Sequence, residues 1–264
     1  MRFQLDAMPA YDAYDAYDAY VICTSPRSGS TLLCKLLSAT GVAGRPGSHF
    51  HEPSLVAWLE YYGLEPCAGE LDSLKAVFDA AREKGRGGTD LFGLRLQRHS
   101  FDFFQQKLAL LHPEEQTDRA RMEAAFGRVL FLHLTRAEKL EQAISFVKAQ
   151  QTGLWHKAPD GRELERLSAP REPVYDGPAI KAELDLFEAF ERTWIEWFAV
   201  QGINPLTITY DALSEDPQHI LAEVLTNLGL DGDLAKDVEL PVAKLADATN
   251  QDWAERFRQD YAAS

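Results

Sequence analysis

Cysteine is scarce in this sequence. The 264 residues include three cysteines, Cys23, Cys34 and Cys67, and none belongs to a CxxC pair. Three cysteines cannot all pair with one another, and a structural zinc site needs closely spaced ligands. The sequence therefore argues against a disulfide framework and a structural zinc site, and we predict no metal site.

Long apolar runs are also missing. No stretch approaches the roughly 20 consecutive apolar residues that a membrane-spanning helix needs. The first residues, Met-Arg-Phe-Gln-Leu-Asp-Ala, lack the basic and apolar regions of a secretion signal. We therefore expect a cytoplasmic protein with no membrane span.

Positive charge is outnumbered by negative charge. Lys and Arg total 27 against 41 Asp and Glu, which gives a net charge of −14. Such a protein repels polyanions over most of its surface, so we do not expect nucleic acid as a partner. An anionic ligand would need a local basic pocket within this acidic molecule.

Apolar residues are plentiful enough for a sizeable core, at 45% of the chain. Strand-like runs alternate with stretches of helical periodicity. The clearest strand candidates are residues 20–24, 91–96, 128–135 and 206–210. This alternation predicts an α/β fold in which helices flank a central parallel sheet.

Two segments do not fit this alternation. Residues 1–17 include most of a Tyr-Asp-Ala repeat, and we expect them to form a flexible, low-complexity arm. Residues 152–178 are rich in glycine and proline, which predicts a long loop. The chain has no clear linker, so we expect residues 18–264 to form a single domain.

The most informative motif lies between the first strand and the first helix. Backbone N–H groups at such a turn, together with the helix dipole, form a cradle for an anion. A guanidinium adds a bidentate cation, and hydroxyl groups add further donors. The predicted cradle consists of Ser25, Pro26, Arg27, Ser28, Gly29, Ser30 and Thr31.

The same turn partly matches the nucleotide-hydrolase signature G-x-x-x-x-G-K-[ST]. Gly29 and Thr31 are in place, but Thr24 stands at the first glycine and Ser30 at the lysine. The alternative is an ordinary capping turn, because serine and threonine favour helix starts.

A second candidate site follows the strand at residues 128–135. Arg136 comes directly after that strand, where a parallel sheet meets its ligand crevice, and Ser145 lies nine positions later in the next helix. Ser145 can reach the same edge if the helix begins irregularly. The alternative is a surface arginine and a buried helical serine.

These features together resemble the PAPS-dependent sulfotransferases, where PAPS is 3′-phosphoadenosine 5′-phosphosulfate. Three further segments are most similar to the bacterial trehalose 2-sulfotransferase-like branch: TGVAGRPGSHF at 40–50, RAEKLEQAISF at 136–146 and NQDWAERFRQ at 250–259. The resemblance covers nearly all of the chain after residue 19. It implies a P-loop-like sulfotransferase fold and a metal-free enzyme, and the branch also suggests a homodimer.

The resemblance also implies roles for the two sites. Residues 25–31 would bind the 5′-phosphosulfate, with Arg27 as the basic and catalytic residue. Arg136 and Ser145 would bind the 3′-phosphate. Sulfuryl transfer requires little more than positioning and stabilisation of spread negative charge, by analogy with phosphoryl transfer. A base must also take the proton of the acceptor hydroxyl.

The base is where this sequence departs from the family. The trehalose-type enzymes carry a glutamate where Ser48 stands here. Three titratable residues follow it, His49, His51 and Glu52, and each is a candidate base. We favour His51, because a histidine titrates near neutrality and the Glu52 carboxylate can raise its basicity. The alternative is that these residues only shape the substrate loop.

The remaining candidates concern the acceptor, which the resemblance implies is a carbohydrate or glycolipid. Arg95 stands where the branch often has a cation, Trp155 offers an aromatic face for a sugar, and Ser48 lies beside the predicted bases. Two other functions stay open at this stage. One is a P-loop nucleotide kinase, and the other is an inactive nucleotide-binding protein.

Overall fold

Four parallel strands form the centre of the computed structural model, which describes residues 16–158, 160–239 and 248–262. The strands are β1 (Ala19–Thr24), β2 (Phe92–Gln97), β3 (Val129–Thr135) and, later in the chain, β6 (Leu206–Thr209). Their order in the sheet is β2-β1-β3-β6, and each neighbouring pair is parallel. The predicted α/β fold with a central parallel sheet is therefore confirmed.

Helices cover both faces of this sheet. They are α1 (Ser30–Ala39), α2 (Leu55–Tyr62), α3 (Glu70–Arg86), α4 (Arg98–Leu111), α5 (Asp118–Phe126), α6 (Lys139–Thr152), α7 (Gly177–Val200), α8 (Tyr210–Glu215), α9 (Pro217–Asn227) and α10 (Ala248–Tyr261), with a 3₁₀ helix at Gly232–Asp237. No helix in the described ranges is both long and apolar enough to cross a bilayer.

Strand β1 explains why both faces are covered. All six of its residues are buried. Val21 and Cys23 pack into one apolar cluster, whereas Tyr20 and Ile22 pack into another on the opposite face. Alternation with period two sends successive side chains of a strand to opposite faces. A strand that is buried at every position therefore requires a layer of helices on each side.

The prediction of a long loop at residues 152–178 is wrong in part. Two short antiparallel strands lie within it, β4 (Leu154–Lys157) and β5 (Glu163–Arg166). Their pairing shifts register twice, and β5 is largely exposed. Strands this short and this polar carry no alternating pattern, so the sequence gives no signal for them.

The predicted arm lies mostly outside the described residues, since the structure describes the chain only from residue 16. Tyr17, at the end of the predicted arm, packs against the apolar cluster that contains Tyr20 and Ile22. The Arg128 guanidinium lies 4.6 Å from the centre of the Tyr17 ring. The chain is therefore anchored two residues before β1 begins.

Candidate active site

A cavity of about 840 Å³ opens at the carboxyl edge of the central sheet. Each of the four strands contributes a lining residue at or just after its carboxyl end. Gln97 ends β2, Pro26 follows β1, Arg136 follows β3 and Tyr210 follows β6. This is the edge at which parallel α/β sheets bind their ligands. Eleven predicted site residues line the cavity: Pro26, Arg27, Gly29, Ser30, Thr31, Ser48, His51, Arg95, Arg136, Ser145 and Trp155.

The cradle, residues 25–31, leads directly from β1 into α1. Gly29 caps the helix with φ of 89°, and no side chain at the cap hydrogen-bonds to the first helical N–H groups. Arg27 has φ of 61° and is the one non-glycine residue with positive φ in the described part of the chain. Uncapped N–H groups and a strained backbone are features of sites built to bind an anion.

Two cradle residues do not reach the cavity and instead support it from behind. The Ser28 hydroxyl lies 2.6 Å from Thr24 Oγ1, and Thr24 Oγ1 donates to the carbonyl of Leu134 at 2.7 Å. The Gln142 amide donates to Ser25 Oγ at 2.9 Å and to the carbonyl of Pro26 at 2.5 Å. These buried hydrogen bonds fix the turn to β3 and α6.

Arg27 bridges the cradle to the second predicted site. Its Nε donates to Ser145 Oγ at 3.0 Å, and its Nη1 donates to the carbonyl of Trp155 at 2.7 Å. Burial, together with repulsion from Arg136, lowers the pKa of Arg27 to about 10. The guanidinium stays charged at neutral pH, and an anion placed beside it would relieve that repulsion.

Arg136 is 6% exposed and follows β3 directly. Its Nη2 donates to the Glu141 carboxylate at 3.0 Å, and its guanidinium carbon lies 4.4 Å from the centre of the Tyr210 ring. Its Nε is buried without a hydrogen-bond partner. An orphaned guanidinium N–H in the cavity wall fits a ligand that carries an acceptor oxygen, such as a phosphate.

The irregular helix start that Ser145 requires is present. Residues 137 and 138 precede the first turn of α6, and the N–H of Lys139 bonds to the carbonyl of Ala137 at 2.9 Å. This tight turn lets Ser145 lie on the cavity wall and meet Arg27. The structure therefore brings Arg27, Arg136 and Ser145 to one cavity, although they are distant in sequence.

Arg95 connects the cradle to the loop after α1. Its Nε donates to Ser48 Oγ at 2.9 Å, and its Nη1 donates to Thr31 Oγ1 at 3.1 Å and to Ser30 Oγ at 3.4 Å. Register places Arg95 opposite Ile22 of β1, at the sheet edge. Ser48, where the resemblance implies a glutamate, is thus linked to the cradle through Arg95.

The three predicted bases lie in different surroundings. His51 lines the cavity, and its Nε2 is 3.4 Å from Glu52 Oε1, as the expected pair requires. Glu52 is exposed and does not line the cavity. His49 is buried away from it, with Nε2 3.2 Å from the carbonyl of Arg45, and burial lowers the pKa of His49 to about 4.

Three other residues at the site, Gln142, Tyr210 and Glu165, carried no sequence signal that singled them out, and His156 stood out only as a polar neighbour of Trp155. Gln142 holds the cradle, and Tyr210 stacks on Arg136. His156 lines the cavity with Nε2 3.1 Å from Thr31 Oγ1, and Glu165 Oε2 lies 3.4 Å from the same nitrogen. The last two come from the hairpin of β4 and β5, which the sequence did not predict.

Two solved sulfotransferase structures are similar to this chain. One is from Alicyclobacillus acidocaldarius, with 14% identity, a TM-score of 0.42 and coverage of 94% of both chains. The other is the sulfotransferase domain of the Synechococcus PCC 7002 olefin synthase, with 15% identity, a TM-score of 0.39 and coverage of 95% of this chain and 98% of that one. Both TM-scores lie below 0.5, so the family assignment rests on the sequence matches.

The sequence matches extend over almost the whole chain. A trehalose 2-sulfotransferase of Mycobacterium tuberculosis is 29% identical, covering 91% of this chain and 94% of the relative. A trehalose 2-sulfotransferase of Mycolicibacterium smegmatis is 28% identical with the same coverage. The family described as Stf0 sulphotransferase matches residues 19–260, which include the cradle, Arg136 and Ser145. With that match added to its parallel sheet and its cationic cavity, this chain belongs to the Stf0 sulphotransferase family.

Proposed function

We propose that this enzyme transfers a sulfuryl group from PAPS to a hydroxyl of a carbohydrate or glycolipid. One observation carries the proposal. Two buried or half-buried arginines that follow separate strands, Arg27 after β1 and Arg136 after β3, share one cavity, and Arg136 Nε has no hydrogen-bond partner. Such a pair needs an anion with negative charge at two places, and a nucleotide phosphorylated at both ends has that charge.

The cradle binds the phosphosulfate end of the donor. Gly29, Ser30 and Thr31, at the start of α1, line the same cavity as Arg27, and no side chain caps the first N–H groups of the helix. Negative charge grows on the leaving 5′-phosphate oxygen as the S–O bond breaks. Arg27 and these donors stabilise that charge from fixed positions, which lowers the barrier.

The other end of the donor binds at Arg136 and Ser145. A 3′-phosphate would satisfy Arg136 Nε and replace Arg27 as the partner of Ser145 Oγ. Arg27 would then be free to turn towards the phosphosulfate. Tyr210 keeps Arg136 in place through the contact of its ring with the guanidinium.

The acceptor binds beside Arg95, Ser48 and Trp155. These residues line the same cavity and supply a cation, a hydroxyl and an aromatic face, which together suit a polyhydroxylated ring. The two curated relatives are named trehalose 2-sulfotransferases, so trehalose is the first acceptor to test. Of the three predicted bases, His51 is the one that lines this cavity. A homodimer stays a prediction.

The experiment is a transfer assay with sulfur-labelled PAPS and a panel of carbohydrates, with trehalose among them, in the presence of EDTA. We expect a product heavier than its acceptor by one SO₃ group, formed at the same rate without magnesium. Failure to modify any carbohydrate, combined with magnesium-dependent phosphoryl transfer from ATP, would contradict the proposal and favour a nucleotide kinase. Binding of the donor without transfer to any acceptor would favour an inactive nucleotide-binding protein.

A further inference from the structure

We infer that His156 is the general base that takes the proton of the acceptor hydroxyl, with Glu165 as its positioning residue. The inference rests on the proposed sulfuryl transfer and deepens it. It assigns the base to a hairpin that follows α6, rather than to the loop around residue 48 in which the family's glutamate lies.

His156 lies next to the cradle. Its Nε2 lies 3.1 Å from Thr31 Oγ1, at the start of the helix that forms the cradle. A base must reach the acceptor oxygen, which in turn must reach the sulfur held in the cradle. Within the described residues, the His51 side chain makes no hydrogen bond to the cradle, and its Nε2 lies 3.4 Å from Oε1 of the exposed Glu52.

The hydrogen bonds around Thr31 allow a lone pair on His156 Nε2. Thr31 Oγ1 accepts a hydrogen bond from Arg95 Nη1 at 3.1 Å, so its own proton can be donated to the histidine. A neutral imidazole with its proton on Nδ1 accepts that bond. When the Thr31 hydroxyl turns to the donor, Nε2 becomes free to accept from the acceptor.

Glu165 completes the arrangement from the opposite strand of the hairpin. Its Oε2 lies 3.4 Å from the same Nε2, and residues 156 and 165 are paired across β4 and β5. Once Nε2 has taken a proton, this carboxylate stabilises the imidazolium. The hairpin therefore supplies both the base and the charge that balances it.

Four charged groups face His156 and explain why it acts only when the donor is bound. Burial and the positive charges of Arg27, Arg95 and Lys35 lower the pKa of His156 to about 4, although Glu165 lies close by. Such a weak base is inactive near neutral pH. An anionic donor offsets the charges of Arg27 and Arg95, which raises the pKa of the imidazole towards its ordinary value.

The acceptor oxygen forms a bond to sulfur while the bond from sulfur to the bridging oxygen of PAPS breaks. The bridging oxygen keeps the electron pair and leaves as the 5′-phosphate of adenosine 3′,5′-bisphosphate. The acceptor proton moves to His156 Nε2 and passes to water after the product leaves.

The test compares His156→Asn with His51→Asn and with the exposed-site control His219→Asn. We expect His156→Asn to lower kcat by about 10²- to 10⁴-fold, the usual worth of a general base. Affinity for adenosine 3′,5′-bisphosphate should stay within about threefold of wild type. His51→Asn should lose less activity than His156→Asn, and His219→Asn none.

The pH profile separates a base from a merely structural residue. Wild-type kcat should fall on the acid side as His156 becomes protonated, and His156→Asn should lose that limb. Glu165→Gln should move the limb to lower pH, because the imidazolium loses its carboxylate partner. A His156→Asn enzyme that keeps both its rate and its acid limb would overturn the inference.

A binding measurement tests the inference without activity. With imidazole-labelled wild-type protein, NMR should show the His156 ring titrating at higher pH after adenosine 3′,5′-bisphosphate is added. An unchanged titration contradicts the inference even if His156→Asn fails to fold. Should wild type bind the nucleotide and show this shift but transfer no sulfuryl group, the proposed function fails while the link between donor and histidine stands.

Discussion

The two sides of the cavity are built differently. The donor side comprises the cradle, Arg136 and Ser145, and the acceptor side comprises Ser48, His51, Arg95 and the hairpin of β4 and β5. Buried side chains support the donor side, with Thr24, Ser28 and Gln142 all 1% exposed or less. On the acceptor side, Glu52 and most of β5 are exposed. The side proposed for the donor is thus fixed by the core, whereas the side proposed for the acceptor lies partly in exposed segments.

On the proposed donor side, the largest effect is expected at Arg27, whose Nε hydrogen bond to Ser145 Oγ joins the cradle to the second predicted site. Arg27→Met should lower kcat/KM by about 10²- to 10³-fold, because a fixed cation that meets developing charge is lost. Steady-state kinetics with PAPS measures this. The control Arg119→Met removes an exposed ion pair with Glu123 and should leave kcat/KM unchanged. Equal activity in Arg27→Met and Arg119→Met would show that Arg27 does not stabilise the charge that develops on the donor.

At Gly29 the expected effect is mainly on stability. An added Cβ would lie 2.9 Å from Tyr210 Cδ2, at a backbone φ of +89°. Gly29→Ala should cost about 1–2 kcal/mol of stability from the left-handed backbone and about 1–3 kcal/mol more from the clash. It should also weaken nucleotide binding, since Tyr210 contacts Arg136.

Gly41→Ala is the matched control for Gly29→Ala. Gly41 also has positive φ, at +73°, but an added Cβ would meet no atom within 4 Å. Urea unfolding should therefore show the backbone cost alone, and nucleotide affinity should not change. Identical losses in the two variants would contradict a tightly packed donor side.

Acid should destabilise the protein through histidines that are neutral when folded. Burial lowers the pKa of His49 to about 4, whereas an unfolded histidine titrates near 6.5. The unfolded chain therefore binds more protons between these values, and the free energy of unfolding falls as pH drops from about 6.5 to about 4. The slope from one such histidine reaches at most about 1.4 kcal/mol per pH unit.

Unfolding by urea at several pH values measures this slope. His49→Gln should flatten it, while His219→Gln, whose side chain is exposed, should not. A slope that is the same in wild type and His49→Gln would show that His49 is not held neutral in the folded protein.

The smallest effect is expected on the acceptor side, at Ser48. Ser48→Ala removes one hydrogen bond to Arg95 Nε, worth about 0.5–1.5 kcal/mol. The kcat/KM for the acceptor should fall by about two- to twelvefold, with donor affinity unchanged. Ser38→Ala removes a hydroxyl that bonds only within α1 in the described structure, and is the control. A change in donor affinity in Ser48→Ala would contradict the division between a donor side and an acceptor side.

The division also explains what could be predicted from the sequence. The cradle is a local strand-turn-helix unit, so its residues are contiguous and its shape follows from the chain order. Arg136 could be placed because the ends of parallel strands meet at one edge. The family match covers this part of the chain as well.

The rest depends on contacts between distant segments. His156 meets Thr31 across 125 positions, and Gln142 meets Ser25 across 117. Gln142 lies in no pattern that distinguishes it from ordinary polar residues, and His156 stands out only as a polar neighbour of Trp155. The hairpin that carries His156 consists of two four-residue strands, half-buried β4 and largely exposed β5, which are too short to leave a periodic signal. Likewise, His49 and His51 are two positions apart, yet one is buried behind the loop and the other lines the cavity.

The most direct test of the donor site compares two nucleotides by calorimetry. Wild type should bind adenosine 3′,5′-bisphosphate at least about 30-fold more tightly than adenosine 5′-phosphate, because a charge-assisted contact of about 2 kcal/mol or more is made at Arg136. In Arg136→Met that preference should disappear, while the weaker affinity for adenosine 5′-phosphate stays nearly unchanged. A wild type that binds both nucleotides equally, or an Arg136→Met variant that still prefers the 3′-phosphate, would contradict the account.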